Sequence, residues 1–370
     1  MNAEPTELEH EALRGLLGAW ALRACPQGEG AELERHFADC PDCAEEGARL
    51  RHAATRLSAD APLDQPDGLR QQVIDFCLSR RTAELPLAPW AGPYAAETAK
   101  LDALLRDLGR EEWQEVAELP WHGGVLRRRP AEVLDHLAAV DGLLAAALGL
   151  PDPVPADEAR VPAQRIGPAE PWAGLQDRSE RLSALHEDWS PDAVRTHWRR
   201  QSLEIIRTVD PQSRVEVDYG FARLPVQDAF VDRALECWIH GEDVARAVDY
   251  PYPGPSPQHL RRMIDLAARM LPVALAGRRV TAYAGTGVES RPGRRLKLVI
   301  EGPAAGEWLI PLDPAAAEEP ETVAELVIDG VEFCQLAAAH RDPARLPVGE
   351  YGDREAIREV LTALPLLSRP

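Results

Sequence analysis

From Asp228 to Val248 the chain reads DAFVDRALECWIHGEDVARAV, with Phe230, Val231, Ala234, Leu235, Trp238, Ile239, Val244, Ala245 and Val248 recurring at helical spacing. Such a continuous apolar stripe predicts one buried amphipathic helix. Comparable stripes flank it. Ala95, Leu101, Leu104, Leu105 and Leu108 mark a helix over 94–108. Leu134, Leu137, Val140, Leu144, Ala147 and Leu148 mark another, opened by Pro130 and closed by Gly149. Val194, Trp198, Leu203 and Ile206 predict a further one over about 192–209. Near the start, Leu8, Leu13, Leu16, Leu17, Trp20 and Leu22 give a helical pattern that breaks at Cys25-Pro26-Gln27-Gly28. A second helix is expected over about 31–37, and another over 66–81. Beyond residue 276 the period changes to two. The segments 279–286 (RVTAYAGT), 296–300 (LKLVI), 307–312 (EWLIPL) and 323–328 read as strands, and 330–339 and 354–364 as helices.

Composition narrows the classes. The 370 residues exceed one ordinary domain, and 45% hydrophobic content is enough for real cores. Prolines gather near 86–93, 151–171, 251–257 and 303–320, where elements are expected to stop. The segment 82–92 reads as an extended linker, and 151–171 as a long loop that is either a lid or an insertion. A net charge of −20 argues against direct binding of nucleic acid and against anionic membranes. No run of eighteen apolar residues occurs, and the opening MNAEPTELEHE is acidic, so a cytoplasmic location is expected. Six cysteines are too few for a disulfide scaffold and suit metal or redox roles better.

Two constellations carry chemistry. The first is HFADCPDC, in which His36, Cys40 and Cys43 stand in His-x3-Cys-x2-Cys spacing, as a tetrahedral zinc site requires. Its fourth ligand is either His10, from the first helix, or Cys25. The second is Glu236 and His240, four residues apart and therefore on one helix face. An isolated pair of that kind is ordinarily a plain surface hydrogen bond. His136 on the apolar face of a second long helix changes this, because a bundle gathers an internal metal site from facing helices in this way. Three protein ligands leave a position for water or substrate, as catalytic sites do. Cys237 sits about 100° round the helix from Glu236 and is expected to pack. Asp243 is a candidate acceptor for a ligand histidine, and neither His340 nor Arg341 is given a role.

Residues 7–81, through EHEALRGLLGAWAL and the quartet His10, His36, Cys40 and Cys43, resemble the zinc-binding anti-sigma domain of actinobacteria. That resemblance implies a helical domain stapled by structural zinc, a last helix over 66–81 that wraps a sigma factor, and a role in transcription regulation. Oxidation-sensing members carry cysteine at the upstream ligand position. Here that position is His10, so no disulfide switch through it is expected and the zinc is read as constitutive. HLAAVDGLLAAALG and DAFVDRALECWIHGEDVARAV in turn resemble the DinB-like bundle of mycothiol-dependent maleylpyruvate isomerases and related thiol transferases, over about 93–275. Carried across, the resemblance implies a divalent metal, zinc foremost, on His136, Glu236 and His240. It also implies mycothiol as a thiol cosubstrate and a small electrophile as its partner. GVEFCQLAAAHRDPARL resembles the sterol-carrier-like module that follows that bundle.

The expected protein is mainly α. A zinc-bound helical domain (1–81) and a linker (82–92) precede a DinB-like four-helix bundle (93–275) and a small α/β domain (276–370). Its function is read as an anti-sigma-type regulator whose body senses a ligand or transfers a thiol. The alternative is a metal-dependent mycothiol S-transferase or isomerase with the zinc domain as a docking appendage.

Overall fold

A computed structural model describes residues 7–57, 69, 72–74, 77, 87–155, 173–220, 222–282, 293–313 and 320–369. Its contacts divide the chain into two compact units, Met1–Glu84 and Leu85–Pro370, a boundary inside the stretch 82–92. The protein is mainly helical, with a small sheet towards the C-terminus. Among the described residues no helix is long and apolar enough to cross a membrane.

In the first unit, α1 (Glu7–Gly15), α2 (Leu17–Ala21), α3 (Gln27–Asp39) and α4 (Pro41–Leu57) follow in quick succession. Pro41 opens α4 because a first-turn residue needs no amide proton, so Cys40 falls at the joint between two helices. Leu17, Leu33 and Cys43 are buried, and Trp20 meets Phe37 edge to face with ring centroids 4.8 Å apart. Most of the helix expected over 66–81 lies outside the described residues. Leu69, Val73 and Ile74, which are described, are exposed.

The second unit is built on α5 (Gly92–Asp107), α6 (Pro130–Ala147), α8 (Pro191–Thr208) and α9 (Val226–Ala247), with α7 (Ala173–Leu185) lying along α6. Each expected bundle helix is present within a few residues of its pattern. Two elements had no clear periodic signal. One is α7, and the other is the hairpin β1 (Ala117–Trp121) with β2 (Gly124–Arg128), in which Leu119 pairs with Leu126. Gly149 stands at φ +77, where the left-handed turn after α6 favours a residue without Cβ. Ser190 caps α8 by accepting from the Ala193 amide. The short strands β3 (Glu216–Asp218) and β4 (Arg223–Pro225) pair just ahead of α9.

The long helix α10 (Pro257–Ala282) runs through residue 276 and corrects the expected strand over 279–286 as far as Ala282. Four alternating residues fit a last helical turn as well as a strand, and here the helix simply continues; residues 283–286 lie outside the described ones. Then come β5 (Arg294–Glu301), β6 (Gly306–Pro311), β7 (Glu321–Asp329), α11 (Gly330–Ala337), β8 (Gly349–Gly352) and α12 (Arg354–Ala363). The sheet order is β6-β5-β7-β8, with β5 and β7 parallel and the other pairs antiparallel. Leu296, Leu298 and Ile300 on β5 and Ala324, Leu326 and Ile328 on β7 alternate inward, as period two demands. Their buried face joins Phe230, Trp238, Met263, Ile264, Phe333 and Ile357 in one core, so sheet and bundle share their interior.

Within the bundle, one ion pair is fully shut in. Arg233 Nε donates to Asp141 Oδ1 at 2.7 Å, and the Tyr94 hydroxyl donates to Asp141 Oδ2 at 2.8 Å, tying α5, α6 and α9 together. Both charges have lost their water, so removing one strands the other in a low-dielectric interior. Arg233→Leu should therefore cost about 3–5 kcal/mol in denaturant unfolding. A loss under about 1 kcal/mol would mean that Asp141 finds water or another partner.

Candidate metal centres

Histidine and acid meet where α6 and α9 face each other. His136 projects from α6 and Glu236 and His240 from α9, one turn apart. One ligand atom from each of the three lies within 4.8 Å of the others, and the two imidazoles meet edge to face at 5.1 Å. The outer nitrogens are held from behind. His136 Nδ1 is 3.0 Å from the Ser179 hydroxyl on α7, and His240 Nδ1 is 3.4 Å from Asp243 Oδ2. Both Nε2 atoms are buried and make no hydrogen bond. Glu236 Oε2 comes within 3.3 Å of His240 Nε2, but as an ion pair without hydrogen-bond alignment. Two orphaned imidazole nitrogens aimed at one point beside a carboxylate are what a divalent cation satisfies. The donor set fits the group.

Electrostatics favour the same reading. Burial, with the neighbouring His240 charge, holds His136 well below the usual imidazole range, so it is a neutral ligand. Burial alone would raise the Glu236 carboxyl, but Arg369 and then His240 outweigh it and hold the group well below the carboxylate range. Arg369 donates to Glu236 Oε1 at 3.1 Å and also pairs with Asp232. Burial would lower His240 too; Asp243 and Glu236 overcome this and push it up to about 9. A proton and a metal ion thus compete for the same Nε2. Cys237, the neighbour of Glu236, is buried with its thiol pushed well up by burial, consistent with packing.

Beside the triad opens a small pocket with a cavity volume of about 40 Å³. Glu236, His240, His340 and Arg369 are among its polar lining, and Leu235, Ile239, Leu266 and Met270 among its apolar lining. His136 is buried and does not line it. His340, given no role from sequence, and Arg369, which sequence reasoning missed, both belong to this lining. Arg369 lies far from any motif, and only the acids Asp232 and Glu236 on α9 hinted that a cation was needed.

The first unit gathers the other quartet. His36 stands in the last turn of α3, Cys40 at the joint, Cys43 in the first turn of α4, and His10 on α1. Their ligand atoms also lie within 4.8 Å of one another, with Cys40 Sγ 4.0 Å from His10 Nδ1. His36 Nε2 is buried without a partner. Burial and the adjacent Cys40 sulfur push the Cys43 thiol up, so a cation is needed to keep it as thiolate. Cys25 is not in the cluster; its sulfur faces the Leu16 carbonyl at 3.7 Å.

No family model matches the chain, and no curated protein matches it. Among solved structures, a mycothiol-dependent maleylpyruvate isomerase aligns at 18% identity and a TM-score of 0.39, covering 73% of this chain and 95% of its own. A histidine-to-alanine mutant of that enzyme aligns with the same values.

Metal analysis should find about two ions per full-length chain, with one lost in Cys40→Ser and the other in His240→Ala. Unchanged content in either variant would remove that site. With the sulfur site already loaded, metal uptake by the bundle at pH 7 should release about one proton, because His136 is already neutral and Glu236 already ionised. Affinity should accordingly fall as pH drops below about 9, where His240 takes its proton. Calorimetry in buffers of different ionisation heat reads the proton count, and a count near zero would contradict this protonation pattern.

Proposed function

We propose that the second unit is a metal-dependent thiol transferase or isomerase centre that uses mycothiol, and that the first is a zinc-stapled docking domain of the anti-sigma type. The observation that carries the enzymatic half is that the buried Nε2 atoms of His136 and His240, neither of them hydrogen-bonded, are gathered with Glu236 beside a pocket. Purely structural packing gains nothing from three such polar groups in a bundle core. When bound, the cation would hold a thiol of a small-molecule carrier as thiolate at neutral pH. The protein's own part is to position and to exclude water. His136, Glu236 and His240 would hold the cation, beside the pocket that Glu236 and His240 line. Leu235, Ile239, Leu266 and Met270 give a dry wall against which an electrophile can lie. Arg369 neutralises the Glu236 oxygen that faces away from His240. Mycothiol as the carrier rests on the likeness of the bundle sequences to that isomerase family.

The docking half rests on the His-x3-Cys-x2-Cys quartet and on the exposed apolar residues Leu22, Leu69, Val73 and Ile74. A small domain with a metal staple and uncovered apolar side chains is suited to holding a partner, and the sequence likeness names a sigma factor.

Conjugation of mycothiol to a reactive electrophile, or isomerisation of maleylpyruvate, should be supported by the metal-loaded protein. It should fall at least about 100-fold in His240→Ala that retains the parental melting temperature. Retained turnover in that variant would overturn the enzymatic half. A sigma factor should co-purify with the parent chain and be lost with Cys40→Ser; no sigma factor with the parent would overturn the regulatory half.

A further inference from the structure

Asp243 lies one turn beyond His240 and two beyond Glu236 on α9, and its side chain is fully buried. Its carboxylate is shared. Oδ2 faces His240 Nδ1 at 3.4 Å, while Oδ1 is 2.8 Å from His340 Nε2 and 3.2 Å from an Arg246 nitrogen. His340 follows α11 and so belongs to the sheet-bearing part of the unit. Its other nitrogen, Nδ1, lies 2.8 Å from the Ala338 carbonyl, so both sides of the ring face oxygen acceptors. Ala339, between them, holds φ +61, a left-handed conformation that fixes where the His340 backbone turns. Next door, Gln335 on α11 donates to both oxygens of Glu242 at 3.0 and 2.9 Å. Consecutive α9 residues, Glu242 and Asp243, are therefore gripped by side chains from one short stretch, 335–340.

We propose that His340 is a positioning residue for the bundle metal: it fixes the Asp243 carboxylate, which in turn fixes the ring of His240. The physical reason lies in the direction of the hydrogen bonds. A carboxylate can only accept, so Asp243 Oδ2 requires the proton of His240 on Nδ1 and leaves the Nε2 lone pair for the cation. The 3.4 Å contact is long, and alone it would hold the ring loosely. Arg246 reaches the same Oδ1 at 3.2 Å from a side chain that is more than half exposed, so the nearer and buried His340 is the firmer hold on the carboxylate. Groups of this kind behind a ligating histidine typically contribute 10- to 100-fold in metal affinity. His340 also lines the pocket, so a ligand seated there touches the residue that aims the metal ligand. The sheet-bearing part thereby belongs to the metal centre without supplying a ligand.

This inference rests on the metal reading of the bundle, and the test separates the two. Zinc alone is titrated into the full chain with its sulfur site already filled, using the parent, His340→Ala and His340→Gln. The melting temperature of each is measured without bundle metal. The Gln amide can donate to Asp243 in place of imidazole Nε2. The expected result is about 10- to 100-fold weaker zinc binding in His340→Ala, and recovery of most of it in His340→Gln. Equal affinity in parent and His340→Ala overturns the positioning role and leaves the metal site standing. Equal weakening in both variants, tracking their melting temperatures, also overturns it, because His340 would then act only in packing. If the parent takes up no second zinc, the metal reading and the positioning role fall together.

Discussion

Two imidazole nitrogens, Nε2 of His136 and Nε2 of His240, are shut away from water with no hydrogen bond to either, and an ionised carboxylate sits beside them. Leaving a buried polar nitrogen unsatisfied costs about 1–3 kcal/mol, a burden that His136 Nε2 carries in full and that His240 Nε2 relieves only through its 3.3 Å ion pair with Glu236. A fold keeps such an arrangement when something else satisfies it. The bundle is organised to hold the geometry rather than to relieve it. Ser179 grips His136 from α7, Asp243 backs His240, and Arg369 occupies the oxygen of Glu236 that points away. The supports come from α7, from α9 itself and from the C-terminal Arg369.

Charge explains why this polar centre survives inside an apolar core. On α9, Asp232, Arg233, Glu236, His240 and Asp243 alternate in sign along the buried helix, and partners arrive from α6, from the 335–340 stretch and from Arg369. The helix is thus an apolar stripe on one side and a line of matched charges on the other. Had either half been missing, burial would have neutralised the acids. Asp232 and Asp141 show the pressure, since burial pushes both carboxyls up despite their arginine partners. Glu236 and Asp243, the two α9 acids that face histidines, are held low instead.

Much of this was legible in the sequence because helical periodicity and ligand spacing are local signals. The 228–248 stripe, Pro130 and Gly149 each declare an element within a few residues. His36, Cys40 and Cys43 declare their cluster through spacing alone. That His136 reaches α9 is not local, and follows only from its place on the apolar face of a second long helix and from the bundle likeness. What escaped has physical reasons. The hairpin 117–128 is short and half exposed, so its alternation is weak. The helix over 173–185 carries too few apolar residues to announce itself. Residues 279–282 read as a strand because four residues cannot distinguish a period of two from the last turn of a helix. Arg369 is invisible as a site residue and His340 could be noted but given no role, because both depend on how the C-terminal part folds back on the bundle, and no spacing along the chain encodes that.

The claim that supports the rest is that one ion sits on His136, Glu236 and His240. X-ray absorption at the zinc edge, on protein whose sulfur site is emptied by Cys40→Ser, addresses it directly. The account predicts nitrogen and oxygen scatterers at about 2.0–2.1 Å, with the outer-shell pattern of two imidazoles. A spectrum without imidazole scattering, or one unchanged when His136 and His240 are replaced by alanine, would contradict it.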